Sequence, residues 1–367
     1  MRNFVAQDDR FRDAFGILEK AIAARAFPAC SLAVTFGGEL VARKALGRFT
    51  YDAGSPEVTT ANLFDLASLT KVVATTAVAM ILYERGLLDL DAPVTAIVPE
   101  FMDALAEDDE RRRDVTVRML LAHSSGLPAY EKHFLHSKAR EALLRAAFTT
   151  PLTAAPGSRA EYSDIGFIIL GVALERLADE SLDAFCQREI FGPLGMTHTT
   201  FNPTHALRDS IPPTADDRSF RHRIIQGEVQ DENASVLGGI AGHAGLFSTA
   251  EDLARFAHAM LNGGRPILRS STVELFSRRQ SAPEGTSRAL GWDTPSAPSQ
   301  SGRHFSSRSF GHLGYTGTSL WIDPDRKLSI TLLTNRTWPD SGNQAIKQVR
   351  PAFHDAVMES LGQVSSR

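Results

Sequence analysis

The sequence predicts an α+β fold in which an antiparallel β-sheet is flanked by N- and C-terminal helices and lies beside a mostly helical second region. Three observations predict this fold. Apolar residues recur at helical spacing near both ends of the chain, hairpin patterns lie just inside those helices, and the long middle contains apolar helical segments. A helix next to a hairpin is typical of a helix packed on an antiparallel sheet.

The N-terminal part of the chain predicts a helix followed by a β-hairpin. Residues 11–27 carry apolar side chains at the spacing of one helix face. Residues 30–46 then alternate around Gly37-Gly38, a dipeptide typical of a tight turn between two strands.

The C-terminal part has the reverse order, a hairpin followed by a helix. Residues 318–322 and 328–333 predict two strands, and the Asp-Pro-Asp-Arg sequence at 323–326 predicts the turn that joins them. Residues 344–361 predict a closing helix.

Composition bounds the function. The 367 residues suit two domains, or one domain with a large insertion. Hydrophobic residues make up 43% and charged residues 22%, which is typical of a soluble globular enzyme. The net charge of −4 gives no indication of a basic surface that would bind nucleic acid or an anionic membrane.

Targeting signals and cysteines add two expectations. No apolar run approaches the length of a transmembrane span, and residues 1–12 are polar and charged. The sequence as written therefore predicts no signal peptide and a cytoplasmic location. Cys30 and Cys186 lie far apart without zinc-type spacing, which predicts two buried thiols and no disulfide.

One stretch, residues 64–74, contains the only Ser-x-x-Lys of the sequence, formed by Ser68 and Lys71. The following residues are small and apolar, which predicts a buried helix to residue 84. Residues three apart share a helix face, so the hydroxyl and the amine would point into one space. A serine becomes a nucleophile when a base takes its proton, and a lysine with a lowered pKa is a candidate base. Short motifs often match by chance, so further motifs elsewhere in the chain are needed to support a catalytic role for Ser68 and Lys71.

Other candidate motifs favour structural interpretations. His123 lies in a turn and is predicted to bond its own backbone. His133 and His136 lack a third metal ligand in the sequence pattern. The glycine-rich segment 238–245 has neither the dinucleotide nor the phosphate-loop pattern, so it predicts a tight loop with close backbone approach. No cofactor and no metal are predicted.

Three motifs occur in order along the chain: Ser-x-x-Lys at 68–71, Tyr-Ser-Asp at 162–164 and His-Leu-Gly at 312–314. Together they resemble the motifs of the penicillin-recognising serine hydrolases, which include class C β-lactamases, D-alanyl-D-alanine carboxypeptidases and β-lactamase-like esterases. The resemblance extends over roughly residues 10 to 360. It implies a β-lactamase/transpeptidase-like fold, with a sheet domain from 1–62 and 285–367, a mostly helical domain from 63–284, and the active site between them.

The resemblance also assigns roles to individual residues. It implies that Ser68 is the nucleophile and that Lys71 and Tyr162 share the proton transfer. It implies an oxyanion hole formed by the backbone N–H groups of Ser68 and Tyr315. Gly314 is expected to leave room for substrate along the strand edge.

Two residues depart from the common family pattern. Asp164 stands where asparagine is common, and an ionised carboxylate accepts hydrogen bonds but cannot donate them to a substrate carbonyl. It could instead pair with Lys71, raise the pKa of that lysine and favour Tyr162 as the base. His312 stands where lysine is common, and a neutral imidazole holds a substrate carboxylate less well than a cation.

The sequence thus predicts a serine hydrolase that works through a covalent acyl-enzyme on a small-molecule or peptide substrate. A β-lactamase-like or D-alanyl-D-alanine carboxypeptidase-like activity is the leading hypothesis. A carboxylesterase of small acyl esters and a penicillin-binding sensor that does not turn over remain alternatives. No nucleic-acid partner and no transmembrane segment are expected. The family is mostly exported, whereas this chain as written has no export signal.

Overall fold

The computed structural model describes residues 6–102 and 109–363, so residues 1–5, on which the predicted location partly depends, lie outside the described residues. The strands in this part of the chain are β1 Ala29–Phe36, β2 Glu39–Gly47, β3 Phe64–Asp65, β4 Thr200–Phe201, β5 Ala215–Asp217, β6 Arg223–Ile225, β7 Leu246–Ser248, β8 Phe310–Leu313, β9 Ser319–Asp323 and β10 Leu328–Thr334.

The α-helices in the same residues are α1 Gln7–Arg10, α2 Arg12–Ala23, α3 Ala77–Glu84, α4 Val117–Leu121, α5 Arg140–Phe148, α6 Asp164–Ala178, α7 Leu182–Cys186, α8 Gly192–Leu194, α9 His205–Arg208, α10 Glu232–Val236, α11 Ala250–Leu261, α12 Ser270–Ser277 and α13 Ile346–Ser360. Short 3₁₀ segments span Ala67–Leu69, Val94–Ala96, Pro99–Met102, Glu110–Asp114 and His133–Leu135, and π-helical segments span Lys71–Thr76 and Gln187–Phe191.

A five-stranded sheet joins the two ends of the chain in the order β2-β1-β10-β9-β8, and every neighbouring pair is antiparallel. The first hairpin pairs Ala29 with Gly47, and β1 pairs along its other edge with β10, from Cys30 opposite Thr334 to Phe36 opposite Leu328. Cys30 and Cys186 are free and buried, as the sequence predicts.

The terminal helices α2 and α13 pack together against one face of this sheet. Their apolar faces enclose a core with the strands, to which Phe15, Leu18, Trp321 and Phe353 contribute. The α+β prediction with flanking terminal helices is therefore confirmed. The division into domains 1–62 with 285–367, and 63–284, stays a prediction.

The larger core lies on the other side of the sheet, where α11 packs against β1 and β10. Its buried side chains, including Leu253 and Phe256, join the same cluster as those of α3 and α6. Small sheets of β3-β7-β4 and β5-β6 border this region. The strand β3 places the segment that carries Ser68 directly beside β7.

The helix predicted after Lys71 is present, but its start is irregular. Ala67–Leu69 is a 3₁₀ turn, Lys71–Thr76 is π-helical, and regular α-helix covers only Ala77–Glu84. π-Helical segments such as Lys71–Thr76 occur preferentially at functional sites. By length and composition alone Ala67–Glu84 could cross a membrane, yet 83% of the stretch is buried within the protein, as in a core helix.

Asn335 ties the end of β10 to two loops on either side. Its Oδ1 accepts a hydrogen bond from the Ala29 N–H at 3.2 Å, and its Nδ2 donates to the carbonyls of Phe49 and Pro213, each at 2.9 Å. The side chain is buried, so these backbone groups have no access to water as a substitute partner.

We expect Asn335→Asp to lower the free energy of unfolding by about 3 kcal/mol, because the carboxylate cannot donate to two buried carbonyls. Chemical denaturation of both proteins at neutral pH measures this difference. Asn262→Asp is the matched control, since Asn262 is exposed and its change is expected to cost less than about 0.5 kcal/mol. Equal losses in the two variants would contradict the role given to Asn335.

Candidate active site

Ser68 follows a turn that Asp65 holds in place. The carboxylate of Asp65 accepts hydrogen bonds from the Ala67 N–H at 2.8 Å and from the Gln230 N–H at 2.6 Å. Ala67 has a φ of 46°, in the left-handed region that non-glycine residues rarely adopt. Burial raises the pKa of Asp65 to about 6. Asp65 was not among the predicted site residues. Its position three residues before Ser68 was the one feature of the sequence that pointed to a role at the site.

Four predicted residues meet in one hydrogen-bonded network. The Ser68 Oγ lies 2.6 Å from the Tyr162 hydroxyl and accepts a hydrogen bond from the Lys71 Nζ at 3.0 Å. The Asp164 Oδ1 accepts from the Lys71 Nζ at 2.6 Å and from the Tyr162 hydroxyl at 2.9 Å. The Lys71 Nζ also donates to the carbonyl of His243 at 3.0 Å. The proposed nucleophile therefore touches both groups predicted to handle its proton.

Burial perturbs both of these proton-handling groups. It lowers the pKa of Lys71 from its ordinary value, and the neighbouring Asp164 carboxylate opposes this effect. Burial and the same carboxylate hold the pKa of Tyr162 well above its usual range. A standing phenolate at Tyr162 is therefore disfavoured. The expected pairing of Asp164 with Lys71 is observed, but the expected rise of the Lys71 pKa is wrong, because burial outweighs the effect of the carboxylate.

His123 fixes the segment that carries Tyr162. Its Nδ1 accepts a hydrogen bond from the backbone N–H of Ser163 at 3.0 Å, and its ring lies 4.8 Å from the Tyr162 ring between centroids. Ser163 then caps α6 by accepting from the Gly166 N–H at 3.0 Å. The prediction that His123 bonds its own turn is wrong. The missing information was tertiary, because 40 residues separate the two partners.

The turn after β8 presents Tyr315 beside Ser68. Its carbonyl accepts a hydrogen bond from Arg336 at 2.8 Å, and buried Arg350 donates to the carbonyls of Gly314 and Gly317. Within residues 6–102 and 109–363 the Tyr315 N–H has no hydrogen-bond partner. That N–H has no competing acceptor, and the oxyanion role that the resemblance implies for it stays a prediction.

Gly314 is required for a reason other than the one expected. A Cβ at this position would lie 1.9 Å from the Thr318 Oγ1 and 2.5 Å from the carbonyl oxygen of Leu66. The glycine thus allows the turn to pack against the segment that precedes Ser68. Room for substrate along the strand edge is not what the missing side chain provides.

His312 is neutral in this environment. It is 3% exposed, and its Nδ1 donates to the Leu313 carbonyl at 2.8 Å. Burial, with Lys71 and Arg288 nearby, holds the pKa of His312 well below its ordinary value. His312 therefore does not supply a positive charge to a substrate carboxylate near neutral pH.

Arg288 brings to the site a cation that the sequence analysis missed. Its guanidinium carbon lies 5.7 Å from the centre of the Tyr162 ring, and its nearest acid is Asp293, with the charged atoms 3.8 Å apart. A guanidinium stays charged at physiological pH and binds carboxylates in a planar, bidentate manner. No motif surrounds Arg288 in the sequence, so no local signal could have found it.

These groups line one cavity of about 630 Å³. Six of the predicted residues contribute to its walls, namely Ser68, Tyr162, Asp164, His312, Gly314 and Tyr315. Lys71 lies behind them and is fully buried. In the described ranges, no three His, Cys, Asp or Glu side chains converge in a way that could hold a metal ion.

Comparison with known proteins gives the same family as the motifs. A family model described as beta-lactamase matches residues 15–352. An N-acetylmuramyl-L-alanine amidase of Bacillus subtilis (strain 168) is 33% identical over 355 residues, covering 87% of this chain and 79% of that protein. A protein of Escherichia coli (strain K12) named "Putative D-alanyl-D-alanine carboxypeptidase" is 31% identical over 343 residues, covering 84% of this chain and 79% of the relative.

Solved structures agree at the level of the fold. EstCE1, described as a hydrolase with promiscuous acyltransferase activity, superposes with a TM-score of 0.78 at 22% identity, over 96% of this chain and 99% of that one. A penicillin-binding protein homologue from Caulobacter crescentus gives a TM-score of 0.75 at 20% identity, over 96% and 98% of the chains. The chain therefore belongs to the beta-lactamase family and is a hydrolase of that family.

Proposed function

We propose that the protein is a serine amide hydrolase that forms a covalent acyl-enzyme at Ser68. The observation that carries this proposal is the double contact of the Ser68 Oγ with the Tyr162 hydroxyl at 2.6 Å and the Lys71 Nζ at 3.0 Å. A serine so placed can lose its proton as it attacks a carbonyl and can return that proton to a leaving group.

The proposed reaction has two halves. Ser68 attacks the scissile carbonyl, and the backbone N–H groups of Ser68 and Tyr315 stabilise the oxyanion, an effect worth about 3 kcal/mol per donor in comparable sites. Collapse of the tetrahedral intermediate releases the amine, which takes a proton through Tyr162 or Lys71. Water then attacks the acyl-enzyme by the same route in reverse and frees Ser68.

Arg288 supports a substrate with a carboxylate beside the scissile bond. It lines the cavity next to Tyr162, whereas His312 at the position of the usual family lysine is neutral. The names of the two relatives, an N-acetylmuramyl-L-alanine amidase and a D-alanyl-D-alanine carboxypeptidase, both describe amide bonds that involve alanine. We infer that this chain cleaves an amide whose leaving group is an alanine-type amino acid, with its carboxylate bound by Arg288.

The first test concerns the nucleophile. Ser68→Ala is expected to abolish covalent labelling by a fluorophosphonate, because no other hydroxyl contacts both Lys71 and Tyr162 among the described residues. Gel fluorescence and intact mass measure the label, and circular dichroism checks the fold. Thr70→Ser is a useful control, since it alters a hydroxyl two residues away and should keep full labelling. Undiminished labelling of Ser68→Ala would place the nucleophile elsewhere.

The second test concerns the leaving group. Arg288→Met should lower kcat/KM for a D-alanyl-D-alanine peptide by about ten- to a hundredfold, because a charge-assisted hydrogen bond contributes about 1.5–3 kcal/mol. For p-nitrophenyl acetate, which has no carboxylate, the loss should stay within about threefold. The ratio of the two values removes effects on Tyr162 that both reactions share.

A matched variant accompanies this test. Arg278 is exposed and does not line the cavity, so Arg278→Met should leave kcat/KM unchanged for both the peptide and the ester. Equal losses for the peptide and the ester in Arg288→Met would remove Arg288 from carboxylate recognition. Turnover of esters but of no alanine amide by the natural protein would instead favour the carboxylesterase alternative.

The third test follows from the lowered pKa of His312. Because the pKa of His312 is lowered well below its ordinary value, His312 is already neutral at about pH 6.5 and stays neutral at higher pH. The ratio of kcat/KM between the peptide and the ester should therefore be flat near pH 6.5, where an ordinary imidazole titrates (about 6.5). We would measure this ratio at half-unit pH intervals around that value. A tenfold fall of the ratio as the pH rises would mean that His312 carries a charge at the lower pH.

A further inference from the structure

Asp164 occupies an unusual position in the network. It is the first residue of α6, and its Oδ1 receives hydrogen bonds from both the Lys71 Nζ and the Tyr162 hydroxyl. The corresponding family position commonly carries asparagine. An amide oxygen can accept these hydrogen bonds but is too weak a base to accept a proton in the reaction step, whereas a carboxylate can act as a general base. The exchange therefore adds a proton acceptor to the site.

The hydroxyl of Tyr162 lies between two oxygen atoms, the Ser68 Oγ at 2.6 Å and the Asp164 Oδ1 at 2.9 Å. It has one proton, and a carboxylate oxygen can only accept it. When that proton points to Asp164, the Tyr162 oxygen is free to accept the proton of Ser68. The three oxygens then form one continuous donor-to-acceptor chain that ends at the carboxylate.

Tyr162 cannot act as a base by keeping a standing negative charge. A phenolate there would lie 2.9 Å from an ionised carboxylate in a buried site, and like charges so close are strongly disfavoured. Burial and Asp164 accordingly hold the pKa of Tyr162 well above its usual range. Tyr162 can take the Ser68 proton only if it gives up its own proton in the same step.

We propose that Asp164 is a catalytic residue, the final acceptor of the Ser68 proton, which reaches it through Tyr162. This inference rests on the proposed acyl-enzyme function. In the step, the Ser68 Oγ–H bond breaks as the Oγ–carbonyl carbon bond forms. The Ser68 proton moves to Tyr162, the Tyr162 proton moves to Asp164, and the carbonyl electron pair becomes the oxyanion.

The return step restores every group. The oxyanion collapses, the bond to the leaving group breaks, and the leaving amine takes a proton from Tyr162, which recovers one from Asp164. The net effect of the first half is to move one negative charge from Asp164 to the oxyanion. In this relay Lys71 neither gains nor loses a proton, and its Nζ stays in contact with Ser68, Asp164 and the His243 carbonyl.

The other charged and titratable groups near Asp164 do not replace it. The Asp164 charge contributes to the raised pKa of Tyr130, but the Tyr130 hydroxyl donates its hydrogen bond to Glu232, at 3.4 Å. Asp231 and Arg288 act on Lys71 through space. No acceptor other than Ser68 and Asp164 is hydrogen-bonded to the Tyr162 hydroxyl within the ranges 6–102 and 109–363.

The decisive experiment is the acyl-enzyme burst with p-nitrophenyl acetate, whose leaving group needs no proton, so the burst rate reports the activation of Ser68. Asp164→Asn should lower this rate by about a hundredfold or more, the usual scale of general base catalysis. A carboxylate that merely tuned Lys71 predicts the opposite, a rate within threefold of the natural protein or above it. Asp209→Asn changes an exposed carboxylate that does not line the cavity, so it is the matched control and should keep the natural rate.

Two further measurements keep the proposal testable if Asp164→Asn folds poorly. In Asp164→Ala, added formate should raise the burst rate at least tenfold, whereas formate should not change the burst rate of Asp209→Asn. In the natural protein, the burst rate plotted against the deuterium fraction of the solvent should curve, because two protons move together. A straight line, which one moving proton gives, would overturn the relay.

These outcomes separate the relay from the proposed function on which it depends. A burst that survives in Ser68→Ala overturns the acyl-enzyme at Ser68, and the relay with it. A burst that requires Ser68 but is unaffected by Asp164→Asn overturns the relay alone, and leaves Lys71 as the base.

Discussion

Lys71 is a fully buried cation, and the free energy of removing its charge from water has to be offset by its neighbours. Three acceptors do so, and they come from separate parts of the chain: the Ser68 hydroxyl, the Asp164 carboxylate and the His243 carbonyl. The segment around Ser68, the start of α6 and the loop before β7 therefore have to meet at one point. The contacts of this one buried amine thus bring the candidate site residues together.

The glycine-rich loop shows how the fold meets this requirement. A Cβ on Gly242 would lie 2.1 Å from the carbonyl oxygen of Phe167, so only glycine lets the loop touch α6. The Gly242 carbonyl accepts a hydrogen bond from the Thr75 hydroxyl at 2.6 Å, which fastens the loop to the helix that follows Ser68. The next carbonyl, that of His243, then reaches Lys71. Close backbone approach, which the sequence predicts for this segment, thus serves the buried cation.

Local patterns predicted the parts of the site whose partners are near in sequence or fixed by a motif. Ser68 and Lys71 are one helical turn apart, and Tyr162 and Asp164 flank the start of one helix. Arg288 was not predicted, because its proximity to the Tyr162 ring exists only in the folded chain. His312 lines the cavity, and burial, which the sequence does not reveal, holds the pKa of His312 well below its ordinary value. Sequence supplies residue types and spacing, whereas burial and distant neighbours set their protonation.

The carboxylate of Asp164 also makes the two cations near Tyr162 unequal. Lys71 and Arg288 both lie close to Tyr162, with ring-centre distances of 4.9 and 5.7 Å. Asp164 neutralises Lys71 at 2.6 Å, whereas Arg288 has only a loose pairing, 3.8 Å from Asp293. Of these two cations, Arg288 is therefore the less compensated. Under the proposed function, a substrate carboxylate would be attracted to Arg288 and repelled by the carboxylate of Asp164.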